Sequence, residues 1–242
     1  MRKSLFAILI GLTISMKALA QDNWGGGVDD EVLHFGFAFQ YVTTELKVLK
    51  SADWMNSIDP GTGQPNSSGG SLTSISSPAK PGFGLGLVTD LKVTNFSNLR
   101  FTPSLVFADK ELQYGYQSVV LVKKVQSTTV ELPLGIKVKS ERRKNFRAYM
   151  IAGGKYSRNI VSKKKLDDTD MIEQETRVWM RRGYFSYEAG LGLDFYFEYF
   201  KMSPEIKFSQ SFTSVLERRN NAFDRPVDRL FHKGIQISLF FE

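Results

Sequence analysis

An aromatic ring stands at every second position of Phe35, Phe37, Phe39 and Tyr41, with His34, Gly36, Ala38 and Gln40 between them. Successive side chains leave a β-strand on opposite faces, so this period of two predicts a strand with one greasy face and one small or polar face. Seven further segments repeat the pattern. No segment after the first twenty residues shows a sustained 3.6-residue period. The two faces differ in a telling way. One set is dense in Phe, Tyr, Leu and Ile, while the other holds Gly, Ser, Gln and paired charges. A soluble sandwich buries its large apolar side chains and sends charge outward. A membrane barrel does the reverse, turning the greasy set to lipid and closing small and polar residues around its axis.

The N-terminus supplies the route to such a membrane. Arg2 and Lys3 form a positive n-region, Leu5 to Met16 an apolar stretch, and Ala18-Leu19-Ala20 a small-residue cleavage pattern. The apolar run falls short of the ~20 residues that cross a bilayer as a helix, and Lys17 interrupts it. Residues 1–20 are therefore expected to be a signal peptide removed after Ala20, residues 21–31 a flexible lead-in, and residues 32–242 one outer-membrane barrel domain. Removing positions 1–20 takes away three cations (Arg2, Lys3, Lys17) and no acid, so the net charge falls from +7 to +4. That balance calls for no nucleic acid. The chain has no cysteine, which excludes a lipoprotein anchor and thiolate zinc. It also leaves an exported domain without disulfides, a role that a closed hydrogen-bonded ring can fill.

Eight strands are expected, at about 33–48, 81–95, 99–116, 122–139, 146–161, 185–197, 202–212 and 230–241. The connections then alternate long and short, the rhythm of an antiparallel up-and-down barrel with short periplasmic turns and long outer loops. The stretch 51–78, rich in Pro, Gly and Ser, reads as a loop without a periodic core. Stretches 162–182 and 213–229 are the other long loops. Pro133 and Pro204 count against the strands that contain them, since each forfeits a ladder hydrogen bond. A soluble lipocalin-like barrel has the same strand count, but its apolar set would line a cavity while the charges faced water.

The inward set contains Asp90, Lys92, Arg100, Glu131, Lys137, Arg147, Lys155, Glu188, Asp194, Glu205 and Lys207. An eight-stranded interior is just wide enough for its own side chains. Buried charges must be paired, so these residues are expected to form a structural polar network. They are not expected to be catalytic. The Gly82-x-Gly84-x-Gly86 and Gly190-x-Gly192 runs repeat at period two within strands, not at a strand-to-helix turn, so they are no nucleotide fingerprint. His34 and His232 fall at opposite ends of adjacent strands, which argues against a shared metal. No Ser/His/acid arrangement stands out. Neither a cofactor nor a small-molecule substrate is expected, and the chain reads as non-enzymatic. Among the aromatics near strand ends and in loops (Trp24, Trp54, Trp179, Tyr114, Tyr116, Tyr184, Tyr196, Tyr199), some are expected in the interfacial girdles of the barrel.

At Leu99-Arg-Phe-Thr-Pro-Ser-Leu-Val-Phe107, Thr129-Val-Glu-Leu-Pro-Leu-Gly-Ile-Lys137 and Tyr149-Met-Ile-Ala-Gly-Gly-Lys155, the chain resembles the small Bacteroidetes outer-membrane barrels, and the PorT family most closely. The resemblance covers essentially the whole mature chain. It implies an accessory or assembly component of the type IX secretion system, which exports proteins carrying C-terminal sorting domains and serves gliding motility in some relatives. The partners it implies are outer-membrane lipid and other secretion-system subunits, met through loops and turns. The segment Gly234 to Phe241 is similar to a barrel assembly signal, from which it departs by ending in Glu242. A passive or narrow pore-like barrel and a lipid-modifying enzyme are the competing readings.

Overall fold

The computed structural model describes residues 31–55, 72–116, 120–125, 127–160, 178–219 and 223–242. The expected signal peptide, most of the lead-in and Trp24 lie outside them. Every named element is a strand: β1 (Leu33–Lys50), β2 (Leu72–Ser76), β3 (Lys80–Lys92), β4 (Ser97–Phe101), β5 (Ser104–Phe107), β6 (Lys110–Tyr116), β7 (Val120–Val125), β8 (Thr128–Lys139), β9 (Phe146–Asn159), β10 (Gly183–Tyr196), β11 (Lys201–Ser211) and β12 (Val227–Phe241). Each barrel strand is antiparallel to its neighbours, in the order β1-β12-β11-β10-β9-β8-β4-β3. A further pairing of β1 with β3, from Leu33 opposite Leu91 to Thr44 opposite Lys80, closes the ring. With β4 and β5 counted as one interrupted stave, the barrel has eight staves.

Alternation decides which face meets lipid. Phe35 is 68% exposed, Leu191 58% and Ile237 50%, whereas Asp90 is 0% and Glu188 4%. The greasy set therefore points away from the axis, as a bilayer requires. Aromatic contacts on this outer wall gather at two heights. Phe37 stacks on Phe241 at 5.2 Å and Phe197 on Phe200 at 4.7 Å near the short-turn end. Phe83 stacks on Phe107 at 5.0 Å and Phe185 meets Tyr156 at 4.9 Å toward the other end. The girdles thus consist largely of Phe. Tyr114, Tyr184 and Tyr196, expected among the candidates for them, are instead buried inside. Leu134 lies half-way along β8 and is 49% exposed. Replacing it with Arg is expected to cost about 2–4 kcal/mol, because a guanidinium at that depth meets hydrocarbon. Chemical unfolding from lipid vesicles measures the loss.

The prolines leave a local signature. Thr102 N donates to the Pro133 carbonyl (3.2 Å) and Leu87 N to the Pro103 carbonyl (3.0 Å). Neither proline nitrogen can return the bond. Two ladder bonds are thus missing on the two sides of one stave at the same height, and there β4 gives way to β5. Pro133 and Pro204 nonetheless stay within β8 and β11, so the expected objection to those strands does not hold. The barrel tolerates them because the neighbouring pairs on both sides keep register. Glycine permits two close approaches at the interior. A Cβ on Gly192 would overlap the Tyr149 ring, and one on Gly153 would lie 2.5 Å from the Gly135 Cα.

Three short turns, 93–96, 140–145 and 197–200, share one end of the barrel with Leu33 and Phe241. Thr94 pins the first, its hydroxyl accepting from Phe96 N at 3.2 Å and Ser97 N at 3.0 Å. In outer-membrane barrels this end faces the periplasm. The opposite end departs from expectation. The expected third and fourth strands do not run on as single barrel staves. Their distal parts, β6 and β7, pair with each other and carry β2 as a third strand outside the ring. The stretch 51–78, read as a plain loop, therefore contributes a strand in its described part. Leu72 and Ile75 drive this, since both are buried (1% and 7% exposed) against Leu112 and Tyr114.

Candidate functional site: the ion-filled lumen and its apolar cap

Inward positions on six staves deliver charge to one end of the barrel. Arg100, on β4, is 1% exposed and is the hub. Its guanidinium donates to Asp90 at 2.7 and 3.2 Å, to Glu242 at 2.7 Å and to Glu205 at 3.4 Å. Lys137 donates to both oxygens of Asp194 at 2.8 and 2.9 Å, and lies 3.9 Å from Asp90. Ser203 Oγ donates to Asp194 at 2.6 Å. Lys201 pairs with Glu242. Lys207 bridges Glu188 at 3.2 Å and Glu205 at 3.4 Å, and the Tyr149 hydroxyl donates to Glu205 at 2.8 Å. Four cations (Arg100, Lys137, Lys201, Lys207) and five carboxylates (Asp90, Glu188, Asp194, Glu205, Glu242) thus form one continuous network. Every member but Glu242, which directly follows β12, is held by a strand rather than a loop. Phe240 closes one side, with the Arg100 guanidinium 4.8 Å from its ring centre.

A second, smaller group lies toward the far end. Lys155 donates to Glu131 at 2.8 Å, and Ser157 supports the same carboxylate at 3.5 Å. Of the residues expected inside, Asp90, Arg100, Glu131, Lys137, Lys155, Glu188, Asp194, Glu205 and Lys207 are buried. Lys92 and Arg147 are half-buried at the short-turn mouth, with the Arg147 guanidinium 5.9 Å from the Tyr196 ring centre. Sequence reasoning missed Lys201, Tyr149, Ser203 and Glu242. Strand parity carries the signal for three of them. Lys201 and Ser203 share the face of Glu205 and Lys207 on β11, and Glu242 continues the inward positions Gln236, Ser238 and Phe240 of β12. The last residue, which breaks the resemblance to an assembly signal, is thus an inward ion-pair partner.

Above the lumen sits an apolar cap. Leu46 and Leu230 from barrel staves meet Leu72, Leu112, Tyr114, Val215 and Phe223 in one buried cluster. The Tyr114 hydroxyl donates to the Phe223 carbonyl at 2.7 Å, and the two rings meet edge-on at 5.3 Å. Burial raises the Tyr114 phenol far above its ordinary pKa, so it stays a neutral donor. Backbone pairs tie the rim, Arg181 N to Val215 O at 2.8 Å and Val215 N to Leu230 O at 2.7 Å. Outside the ring, Glu111 accepts from Gln113 at 2.8 Å and pairs with Lys80 at 2.8 Å. These hydrogen bonds hold its carboxyl below the usual range. In the described parts of the long segments, Leu72, Ile75, Val178, Val215, Leu216 and Phe223 turn inward, because together they bury a core that none could form alone.

The arrangement suits rigidity rather than turnover. His34 and His232 lie at opposite ends of the β1–β12 pair, where His232 sits opposite Leu46. Among the described residues no group of His, Asp and Glu has the geometry of a metal site. The outer membrane protein beta-barrel domain family matches residues 10–217. No curated protein matches. The chain is similar in structure to OprG from Pseudomonas aeruginosa, with a TM-score of 0.44, 11% identity and 92% of this chain covering 96% of that one. It is also similar to neisserial surface protein A (TM-score 0.39, 8% identity, 87% and 98% covered). A third likeness is to Ail, the attachment invasion locus protein of Yersinia pestis (TM-score 0.35, 9% identity, 87% and 98% covered).

Proposed function

The chain belongs to the outer membrane protein beta-barrel domain family, and from that premise we propose that it is a non-enzymatic accessory or assembly component of the type IX secretion system. It sits in the outer membrane as a sealed scaffold. The observation that carries the scaffold role is the double closure of its lumen, by the Arg100 network at one end and the Tyr114 cluster at the other. A barrel filled in this way offers surfaces rather than a passage. The secretion role rests on the PorT-like segments 99–107, 129–137 and 149–155. Its partners are other subunits of the machine, met at the outer cap and at the three short turns, and membrane lipid around the wall. Signal-peptide cleavage after Ala20 belongs to the same reading.

Deletion of the gene, with export of sorting-domain cargo as the readout, tests the proposal. Loss of export, restored by the wild-type chain, is the expected result. Unchanged export would remove the secretion role and leave the barrel. The competing passive-pore reading has its own measurement. The reconstituted protein is expected to pass almost no ion current across a planar bilayer, since side chains fill an eight-stranded interior. A steady, ohmic conductance would favour the pore.

A further inference from the structure

We propose that the outer wall over β9 holds an anionic glycerophospholipid of the periplasmic leaflet, one acyl chain lying in a groove and the phosphate at the 140–145 turn. Most other lipid-facing positions carry Phe, Leu, Ile, Val or Tyr. On β9 they are Ala148, Met150, Ala152 and Gly154, and Ala152 lies opposite Ala189 of β10. The flanking side chains of Ile136, Val138, Leu191 and Ile206 stand up on both sides. They enclose two overlapping hollows of about 620 and 670 Å³, continuous through Val138, Met150, Leu191 and Ile206. The lining is almost wholly apolar.

Length and charge select the occupant. The β9 positions that line the hollows, Ala148 to Ala152, advance roughly 13 Å along the strand. With a stave tilt of about 40°, that is about 10 Å of depth, within one half of the ~30 Å hydrocarbon core. The groove therefore starts at the short-turn interface and stays within a single leaflet. Its interfacial end opens at Lys139, Ser140 and Ala148, where Ser140 N donates to the Ala148 carbonyl at 2.9 Å. The turn hanging below carries the exposed cations Arg143 and Lys144, neither with an acidic partner among the described residues. Arg142 is already engaged, its Nε donating to the Lys144 carbonyl at 2.7 Å and its guanidinium 3.9 Å from the Tyr196 ring centre. The nearby exposed acids are Glu141 and Glu198. A basic turn at the headgroup level attracts anionic lipid, and an apolar trough beside it takes the chain.

The test is lipid retention. The full-length protein is folded into mixed vesicles of phosphatidylglycerol and phosphatidylcholine, extracted in mild detergent and weighed intact with its bound lipid. The wild type is expected to keep one phosphatidylglycerol, preferred roughly tenfold over phosphatidylcholine. Arg143→Gln with Lys144→Gln should erase the preference while a lipid is still retained. Ala152→Phe should empty the groove, whereas the control Leu85→Phe on β3, two staves away from β8, should retain lipid as the wild type does. Heat-dependent gel migration checks that each variant is folded, with Ala189→Leu as the alternative groove filler. Equal retention of both lipids by the wild type, no retained lipid, or unchanged retention by the folded groove fillers would overturn the proposal.

Discussion

Replacing Arg100 with Leu is expected to destabilise the barrel by about 3–5 kcal/mol, the cost of removing one partner from a buried ion pair. The reason is what it leaves behind. Asp90, Glu205 and Glu242 would remain inside the lumen without the guanidinium that each now faces at 2.7–3.4 Å. Reversible urea unfolding from lipid vesicles measures the change. The partly exposed pair Lys233–Glu45 (39% and 34%), beyond the upper aromatic contacts of the wall, gives the internal comparison. Lys233→Ala should cost no more than about 1 kcal/mol, because water and salt screen such pairs. Adding Asp90→Leu to Arg100→Leu should recover part of the loss, since an apolar pair of similar volume removes a stranded charge. If Arg100→Leu and Lys233→Ala behaved alike, the lumen would be wet enough to solvate its carboxylates, and the sealed-barrel argument would fail.

The second large effect is expected at the opposite end. Tyr114→Ala removes a fully buried ring from the cap and should cost about 3–5 kcal/mol of local stability. The staves below keep their ladder, so the loss should appear as opening of the cap and not as collapse of the barrel. The readout is faster proteolysis within the outer segments, while the Arg100 network at the other end keeps the lumen closed and ion current stays absent. Tyr114→Phe is the finer probe. It keeps the edge-on contact with Phe223 but removes the hydroxyl that donates to that residue's carbonyl, at about 1 kcal/mol. A Tyr114→Ala protein as protease-resistant as the wild type would mean that the cap draws its stability from elsewhere.

Much of this could be read from the chain because period-two alternation reports a backbone rule that tertiary context does not override. Phe35, Phe37, Phe39 and Tyr41 face outward while Glu188, Gly190, Gly192 and Asp194 face inward, because pleating leaves no other choice. The cap was not legible for the same reason. Leu72, Ile75, Val178, Val215, Leu216 and Phe223 are scattered over three long segments with no common period, and the core they share joins positions far apart in the chain. Tyr114 shows the limit most clearly. An aromatic near a strand end suits an interfacial girdle, but the fold hands it to a core built from distant segments. The ion network was legible as a set of inward residues but not as pairs. Which cation meets which carboxylate depends on stagger between strands, as when Arg100 reaches Glu242 from 142 positions away.

The pairing of Phe37 with Phe241 and of Leu46 with His232 has a kinetic meaning. The seam that shuts the cylinder joins the earliest-made stave to the last, so no closed intermediate exists while any later stave is still missing. Such distant partners must find one another across a long span of chain, which makes the closing step slow. Until it occurs, β1 and β12 present bare hydrogen-bonding edges that invite pairing with a neighbouring chain. The pairing of β12 with β1 is thus the latch that ends the hazard.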